Sequence, residues 1–302
     1  MDKLAILQRI RELYNKGGNI AEYLRRLGGN AQNTTEDILI SYEFQAGSYI
    51  KQYEAETERY DAYAKELSDE IERLPAALSI LEAGCGEATW LALLTRRMSS
   101  APRHILGFDL SLSRILCAKS FFARINPSTK ALFFTGDIFA MPLGDNSVDI
   151  VYTSHALESN GGREKEALVE LYRVARRYIV LLEPSFELAD EQGKERMRRF
   201  GYITGLQKAI EELGYRVVKH RPFAASFNPL NPTALTVIEK TSAPSAASEP
   251  VLSCPVTHTP LKCVKDVWYS PESMLAYPIV DGTPCLLPSN AVIAVRLENA
   301  GP

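Results

Sequence analysis

The sequence predicts an α/β fold: a doubly wound, mostly parallel sheet, preceded by an N-terminal helical lid and followed by a small β-rich C-terminal domain. Three observations predict it. From about residue 76 strand-like and helix-like stretches alternate, the pattern of a parallel sheet with helices on both faces. A glycine turn, Gly84-Cys85-Gly86, joins an apolar run to a helical one, the kind of junction at which open α/β sheets bind ligands. Acids end three successive strand-like runs, at Glu82, Asp109 and Asp137.

Length and composition bound the rest. The 302 residues suit one large or two small domains, with 46% hydrophobic and 24% charged residues, ordinary for a globular chain. A net charge of −3 and a pI near 5.9 disfavour a broad nucleic-acid surface. No apolar run reaches the roughly 20 residues of a membrane helix, and Met1-Asp2-Lys3-Leu4 lacks a signal-peptide layout. Five cysteines without framework spacing fit a reducing compartment, so a cytoplasmic location is expected.

Residues 1–75 read as the helical lid. Leu4, Leu7, Ile10 and Leu13 recur at helical spacing up to Gly17-Gly18; Asn19 caps a second helix ended by Gly28-Gly29, and Thr34 or Thr35 starts a third. A tyrosine-rich stretch over 37–74 follows, with Gly47 as its interruption and Pro75 as its end. Residues 76–240 read as the central domain. Strands are expected at 78–83, 104–110, 131–136, 148–154 and 178–182, with 216–219 and 234–238 last. Helices are expected at 90–98, 111–125, 164–175 and 195–213. Residues 241–250, rich in Ser, Ala and Pro, form a linker by composition. Residues 251–302, with brief apolar runs between prolines, read as the small β module.

The turn excludes a pyrophosphate. A dinucleotide fingerprint is G-x-G-x-x-G/A; here Thr89 takes the third slot and Glu82 lies two residues before Gly84. A carboxylate there repels phosphate and welcomes a cation. Asp109 and Asp137 follow at intervals of 27 and 28 residues, one βα unit each, so all three acids share one rim. S-adenosyl-L-methionine (SAM) suits such a rim: an ammonium, a sulfonium, two ribose hydroxyls and an adenine amino group, and no phosphate.

These residues carry a specific resemblance. Glu82-Ala83-Gly84-Cys85-Gly86, Asp109, Gly136-Asp137-Ile138 and the stretch from Met141-Pro142-Leu143 to Val148-Asp149 resemble the class I SAM-dependent methyltransferases, with their Rossmann-like domain. The branch most similar is the ubiquinone/menaquinone-biosynthesis-like one, which acts mostly on small molecules. The resemblance implies SAM as cofactor and S-adenosyl-L-homocysteine as product. It places Glu82, Ala83, Gly84, Cys85 and Gly86 at the methionine end, Asp109 and Leu110 at the ribose, Asp137 and Ile138 at the adenine, and Ser154 with His155 beside them. Ala88 stands where many members have a third glycine. Tyr42 and Tyr49 resemble the aromatics of the lid helix that covers the cofactor; Tyr53 and Tyr60 read as helix packing.

His155 follows the fourth strand-like run at the same rim and, with Glu158, is the candidate catalytic base; the alternative is that it shapes the pocket. Substrate walls are expected from the lid, from 185–202 and from 227–233. Arg196, Arg198, Arg199 and Tyr202 either meet an anionic substrate or form a solvated helix face. Cys254-Pro255-Val256-Thr257 and the stretch from Tyr277 to Pro288 resemble the Trm112-like small domain. Thr257 stands at a cysteine slot of that family, and with no close Cys pair no metal is expected. The small domain is expected to pack on the catalytic domain or to mediate dimerisation. A small-molecule acceptor with a reacting O or N atom is the first functional expectation. A translation component (tRNA, rRNA or protein) docked by the tail is the second, and a non-catalytic SAM-binding partner the third.

Overall fold

A computed structural model describes residues 3–241 and 249–297; most of the expected linker lies outside the described residues. The lid comprises α1 (Lys3–Asn15), α2 (Ile20–Gly28), α3 (Thr35–Gln45), α4 (Ser48–Ala55) and α5 (Thr57–Glu72). Local chemistry sets these ends. Asn19 caps α2 by accepting from Glu22 N–H, and Thr34 and Asp37 form a reciprocal capping box on α3. Gly47, at φ 88°, breaks the tyrosine-rich stretch at the expected place, and a further break at Glu56, which was not expected, divides α4 from α5.

The central strands are β1 (Ser79–Ala83), β2 (His104–Asp109), β3 (Leu132–Thr135), β4 (Val148–Ser154), β5 (Ala175–Pro184), β6 (Arg216–Pro222) and β7 (Thr233–Glu239). Among the described residues they form a seven-stranded sheet in the order β3-β2-β1-β4-β5-β7-β6. The first five are parallel, and β7 runs antiparallel to both neighbours. Strand order reverses at β1, between β2 and β4, which opens a crevice at the C-terminal strand ends. Helices α6 (Thr89–Arg97), α7 (Leu112–Ile125), α8 (Glu164–Val174), α9 (Glu191–Phe200) and α10 (Leu206–Glu212) complete the domain. The single helix expected over 195–213 is two: Gly201, left-handed at φ 68°, ends α9, while Asp190 caps its start.

Both sheet faces are apolar, and the alternation is strict. Ile80, Ile105, Phe133, Ile150 and Val180 face one core with α5, α6 and α7. Leu81, Leu106, Phe134, Val151 and Ile179 face the other with α8 and α10. No helix lies between β3 and β4, so this second face is left uncovered near Phe108, Phe134 and Leu143. The C-terminal module fills the gap. Its strands β8 (Lys262–Val264), β9 (Val267–Ser270), β10 (Leu275–Val280), β11 (Thr283–Pro284) and β12 (Val292–Ile293) form a small antiparallel sheet. Its Leu252, Leu261, Tyr277 and Leu286 join the second core. Leu286 N–H donates to Thr135 at the end of β3 (3.2 Å to the carbonyl), and Lys119 Nζ reaches the Asp281 carbonyl (2.6 Å).

Candidate active site

The Gly84–Gly86 turn closes β1 in a conformation that only small residues tolerate. Gly84 (φ 71°) has its α-carbon so near Ala156 that a Cβ would lie 2.5 Å from the Ala156 methyl, and Gly86 (φ 54°) is covered by the Arg114 side chain. Ala88, the expected third-glycine position, is left-handed at φ 54° and fully buried. That backbone explains a glycine preference there, and its methyl group carries a modest strain.

A cavity of about 490 Å³ opens above this turn, within the range of small-ligand and cofactor sites. Glu82, Gly84, Cys85 and Gly86 line it at one end, with Asp109, Leu110, Asp137 and Ile138 along the rim. Tyr42, Tyr49, Ser154, His155 and Glu158 also line it. Ala83 does not line it. As the strand neighbour of Glu82 it points to the opposite face, into the second core.

The three acids differ in state. Glu82 is buried and accepts from Leu91 N–H at 3.1 Å; burial, with Asp109 nearby, pushes its carboxyl up to about 8. Asp109 accepts from Gly86 N–H (2.9 Å) and Ser111 N–H (3.0 Å), fixing the turn against α7. Asp137 accepts from Phe139 N–H at 3.0 Å, and burial raises its carboxyl above the ordinary range.

The lid is fastened by residues the sequence reading did not single out. Glu87 accepts from Gly47 N–H (3.0 Å), Tyr49 N–H (3.3 Å) and Ile50 N–H (2.8 Å), so its carboxylate caps α4. Glu43 accepts from the Ser111 hydroxyl (2.8 Å) and Ser113 N–H (3.2 Å), tying α3 to α7. The Arg114 guanidinium lies 4.7 Å from the centres of both the Tyr42 and Tyr49 rings, and 3.8 Å from Asp109. Tyr60 and Tyr63 stack on Trp90, and the Tyr63 hydroxyl pairs with Ser154 at 2.7 Å. Tyr53 is core packing against Tyr60 and Phe121.

His155 adopts a left-handed backbone (φ 56°). Glu183 supports that loop by accepting from Ala156 N–H (3.0 Å) and Leu157 N–H (3.2 Å); burial pushes its carboxyl up to about 7. His155 Nδ1 pairs with Glu158 (2.8 Å) and Nε2 with Thr233 Oγ1 (3.0 Å), so both ring nitrogens are engaged. Burial opposes the imidazolium, but the hydrogen bond and charge of Glu158 outweigh it and raise His155 above its ordinary value. Burial would likewise raise Glu158, yet His155, Tyr202 and Asn231 hold it low. Of the arginines on α9, Arg196 lines the cavity. Arg198 is exposed, and Arg199 lies 3.5 Å from Glu22 on the surface.

The C-terminal cysteines do not converge. Cys254 and Cys285 are buried and Cys263 is exposed, and no metal-sized group of His, Cys, Asp and Glu occurs among the described residues. Cys254 is nonetheless acidic: hydrogen bonds from Ser273 and Tyr277 outweigh its burial and bring it to about 6.

Residues 80–177 match the family described as "Methyltransferase domain", the strands and rim that build the cavity. The fold is that of a Rossmann-like methyltransferase domain. Residues 80–177 thus carry a methyltransferase domain, with SAM as its cofactor. The cavity fits that group: a glycine cradle without space for a Cβ, a buried carboxyl at one end and two rim acids.

A malonyl-[acyl-carrier protein] O-methyltransferase from Pectobacterium atrosepticum is 29% identical over 165 residues, 53% of this chain. The chain spans 60% of the length of that relative. Two solved structures share the fold. One is a chain of the Haloferax volcanii complex between the Trm112 methyltransferase activator and a methyltransferase (TM-score 0.50, 15% identity, 66% of this chain and 96% of that one). The other is a candidate O-methyltransferase from Nostoc punctiforme (TM-score 0.50, 12% identity, 66% and 60%). Among the described residues no helix is long and apolar enough to cross a membrane.

Proposed function

We propose that the protein transfers the methyl group of SAM to an oxygen or nitrogen atom of a small-molecule acceptor. The observation that carries this reading is the cavity shared by the three acids and His155. Glu82, Asp109, Asp137, Tyr42, Tyr49 and His155 line one space of about 490 Å³, a size suited to small ligands. The O-methyltransferase relative supports oxygen. SAM, when bound, supplies an electrophilic methyl group on a sulfonium.

The chain's own residues do the rest. Glu82 faces the positive methionine end, with Gly84, Cys85 and Gly86 allowing close backbone approach. Asp109 and Leu110 meet the ribose, and Asp137 and Ile138 the adenine. Tyr42 and Tyr49 close the space and exclude water, so that alignment of the acceptor supplies much of the rate. Ser154 and the His155–Glu158 pair form the acceptor wall.

The C-terminal module, Trm112-like by sequence, is read as a brace in cis. It covers core that the helix-free β3–β4 connection leaves open, and this favours bracing over docking of a tRNA or protein. Five free cysteines support a cytoplasmic location. The test is calorimetric titration with SAM and S-adenosyl-L-homocysteine, followed by transfer of labelled methyl to a metabolite fraction. Absence of cofactor binding, or transfer only to tRNA or protein, overturns the reading.

A further inference from the structure

Two residues that line the cavity carry unmatched polar groups. Arg196 Nη1 is buried from solvent and has no hydrogen-bond partner, and neither does Asn231 Oδ1. Both residues line the cavity. The Arg196 guanidinium lies 4.9 Å from the Phe200 ring centre and 5.3 Å from that of Tyr202, and no carboxylate pairs with it among the described residues. A buried guanidinium nitrogen without an acceptor is costly. This donor belongs to a residue that lines the cavity, and a guanidinium at a ligand site suits an anion, its fork matching a carboxylate best. Asn231 Oδ1 asks for an N–H or O–H elsewhere on the same ligand.

A second observation is independent of the first: the acceptor wall offers no disengaged base. Both nitrogens of His155 are taken, by Glu158 and Thr233. Glu158 already accepts from His155 and, at 2.9 Å, from Asn231 Nδ2, which makes it a weak proton acceptor. Glu82 lies at the cofactor end, and Glu183 is not among the lining residues. An alcohol or an ammonium must lose a proton to become a nucleophile. A carboxylate arrives without one.

Resting on the proposed methyl transfer, we propose that the acceptor is a carboxylate: its anion pairs with Arg196, and one of its own oxygens takes the methyl group. An oxygen lone pair forms the new C–O bond as the C–S bond breaks and that electron pair goes to sulfur. The sulfonium becomes a neutral thioether, the carboxylate a methyl ester, and no proton is released.

The test uses the full chain and a panel of short- and medium-chain carboxylates and dicarboxylates, each with its matching primary amide. Calorimetry with S-adenosyl-L-homocysteine comes first. If it does not bind, the methyltransferase reading fails, and this inference with it. If it binds, labelled methyl should pass to carboxylates and not to amides, as a base-labile ester that releases methanol. Arg196→Gln should raise KM for the carboxylate about 10- to 100-fold, Arg196→Lys less, with homocysteine-product affinity unchanged. With saturating substrates kcat should be flat from about pH 6 to 8, where no acceptor proton titrates. Label in amides or in base-stable product, no carboxylate bound or methylated, or an unchanged KM in Arg196→Gln overturns the inference. Weakened homocysteine-product binding in that variant also overturns it, by assigning Arg196 to the cofactor.

Discussion

His155 Nδ1 lies 2.8 Å from Glu158 Oε2, and both residues line the cavity. Burial opposes the charge on both partners, and each partner overcomes it for the other. His155 is held above its ordinary 6.5 and Glu158 below its ordinary 4.5. Glu183 and the Thr233 hydroxyl also face the ring.

The sign of the pH effect follows. Stability from the raised His155 is complete below its unfolded value and is lost as pH rises through the folded one. Stability from the depressed Glu158 is complete above its unfolded value and is lost as pH falls through the folded one. The pair therefore contributes most between about pH 4.5 and 6.5. The His155 side chain is 30% exposed, which trims the effect. His155→Ala should cost about 1–2 kcal/mol in that window and less above pH 8, by denaturant unfolding at several pH values. A penalty independent of pH would mean the pair is uncharged. If the acceptor needs no base, His155→Ala should also keep most of its kcat, and a loss beyond about a hundredfold would restore the base role.

Glu87 is the latch of the lid. One carboxylate accepts three N–H groups at Gly47, Tyr49 and Ile50, the otherwise orphaned donors at the start of α4. Glu87→Gln turns one acceptor into a donor facing those N–H groups, at a local cost of about 1–3 kcal/mol. Amide exchange over 47–53 should accelerate, and cofactor affinity should fall about tenfold because Tyr49 is no longer held over the cavity. Unchanged exchange in that segment would show that the latch is redundant.

The fold and the gathering of the three acids at one cavity were legible because they rest on local pattern. Alternation of Ile80 and Leu81, or Phe133 and Phe134, marks strands buried on both faces, and an acid at each strand end needs only the βα spacing to be placed on one rim. Glu87, Glu43 and Arg114 were not legible, because what defines them is a partner 37 or more residues away. Glu87 still carried a local signal, an acid directly after a glycine turn. The helix expected over 195–213 failed for a local reason that was available, since Gly201 takes the left-handed conformation that ends α9. Ala83 was placed in the site by motif alone, while strand alternation turns it to the core. The His155 base reading used position, but position says nothing about Thr233, 78 residues on, which occupies its second nitrogen.

Glu82 should couple cofactor binding to a proton. In the cofactor-free protein its carboxyl sits at about 8 against an ordinary 4.5, chiefly through burial. Between those values the folded protein holds a proton that the unfolded chain releases, so ionisation of Glu82 weighs against folding as pH rises through this range. A positive ligand end reverses the preference and expels the proton. SAM affinity should therefore rise with pH up to about 8 and level off above it. Calorimetry near pH 7 in buffers of different ionisation enthalpy should show net proton release. Glu82→Gln should abolish that release and weaken binding, while leaving the cofactor-free protein as stable as the parent, or more so at pH 8 and above. Release that persists in the variant would assign the proton to another group.

Leu286 should behave as a residue of the catalytic core although it belongs to the C-terminal module. It is fully buried, its N–H donates to both Thr135 oxygens, and it packs with Phe134, Met141 and Leu143, the surface that the helix-free 136–147 connection leaves open. Leu286→Ala removes a buried side chain at a cost of about 2–5 kcal/mol. If the module and the sheet share one core, that cost lowers the melting of the whole chain as a single transition seen equally by calorimetry and by far-ultraviolet circular dichroism. If the module were a separately folded attachment, Leu286→Ala would split off a small early transition, the main transition would not move, and the brace in cis would be refuted.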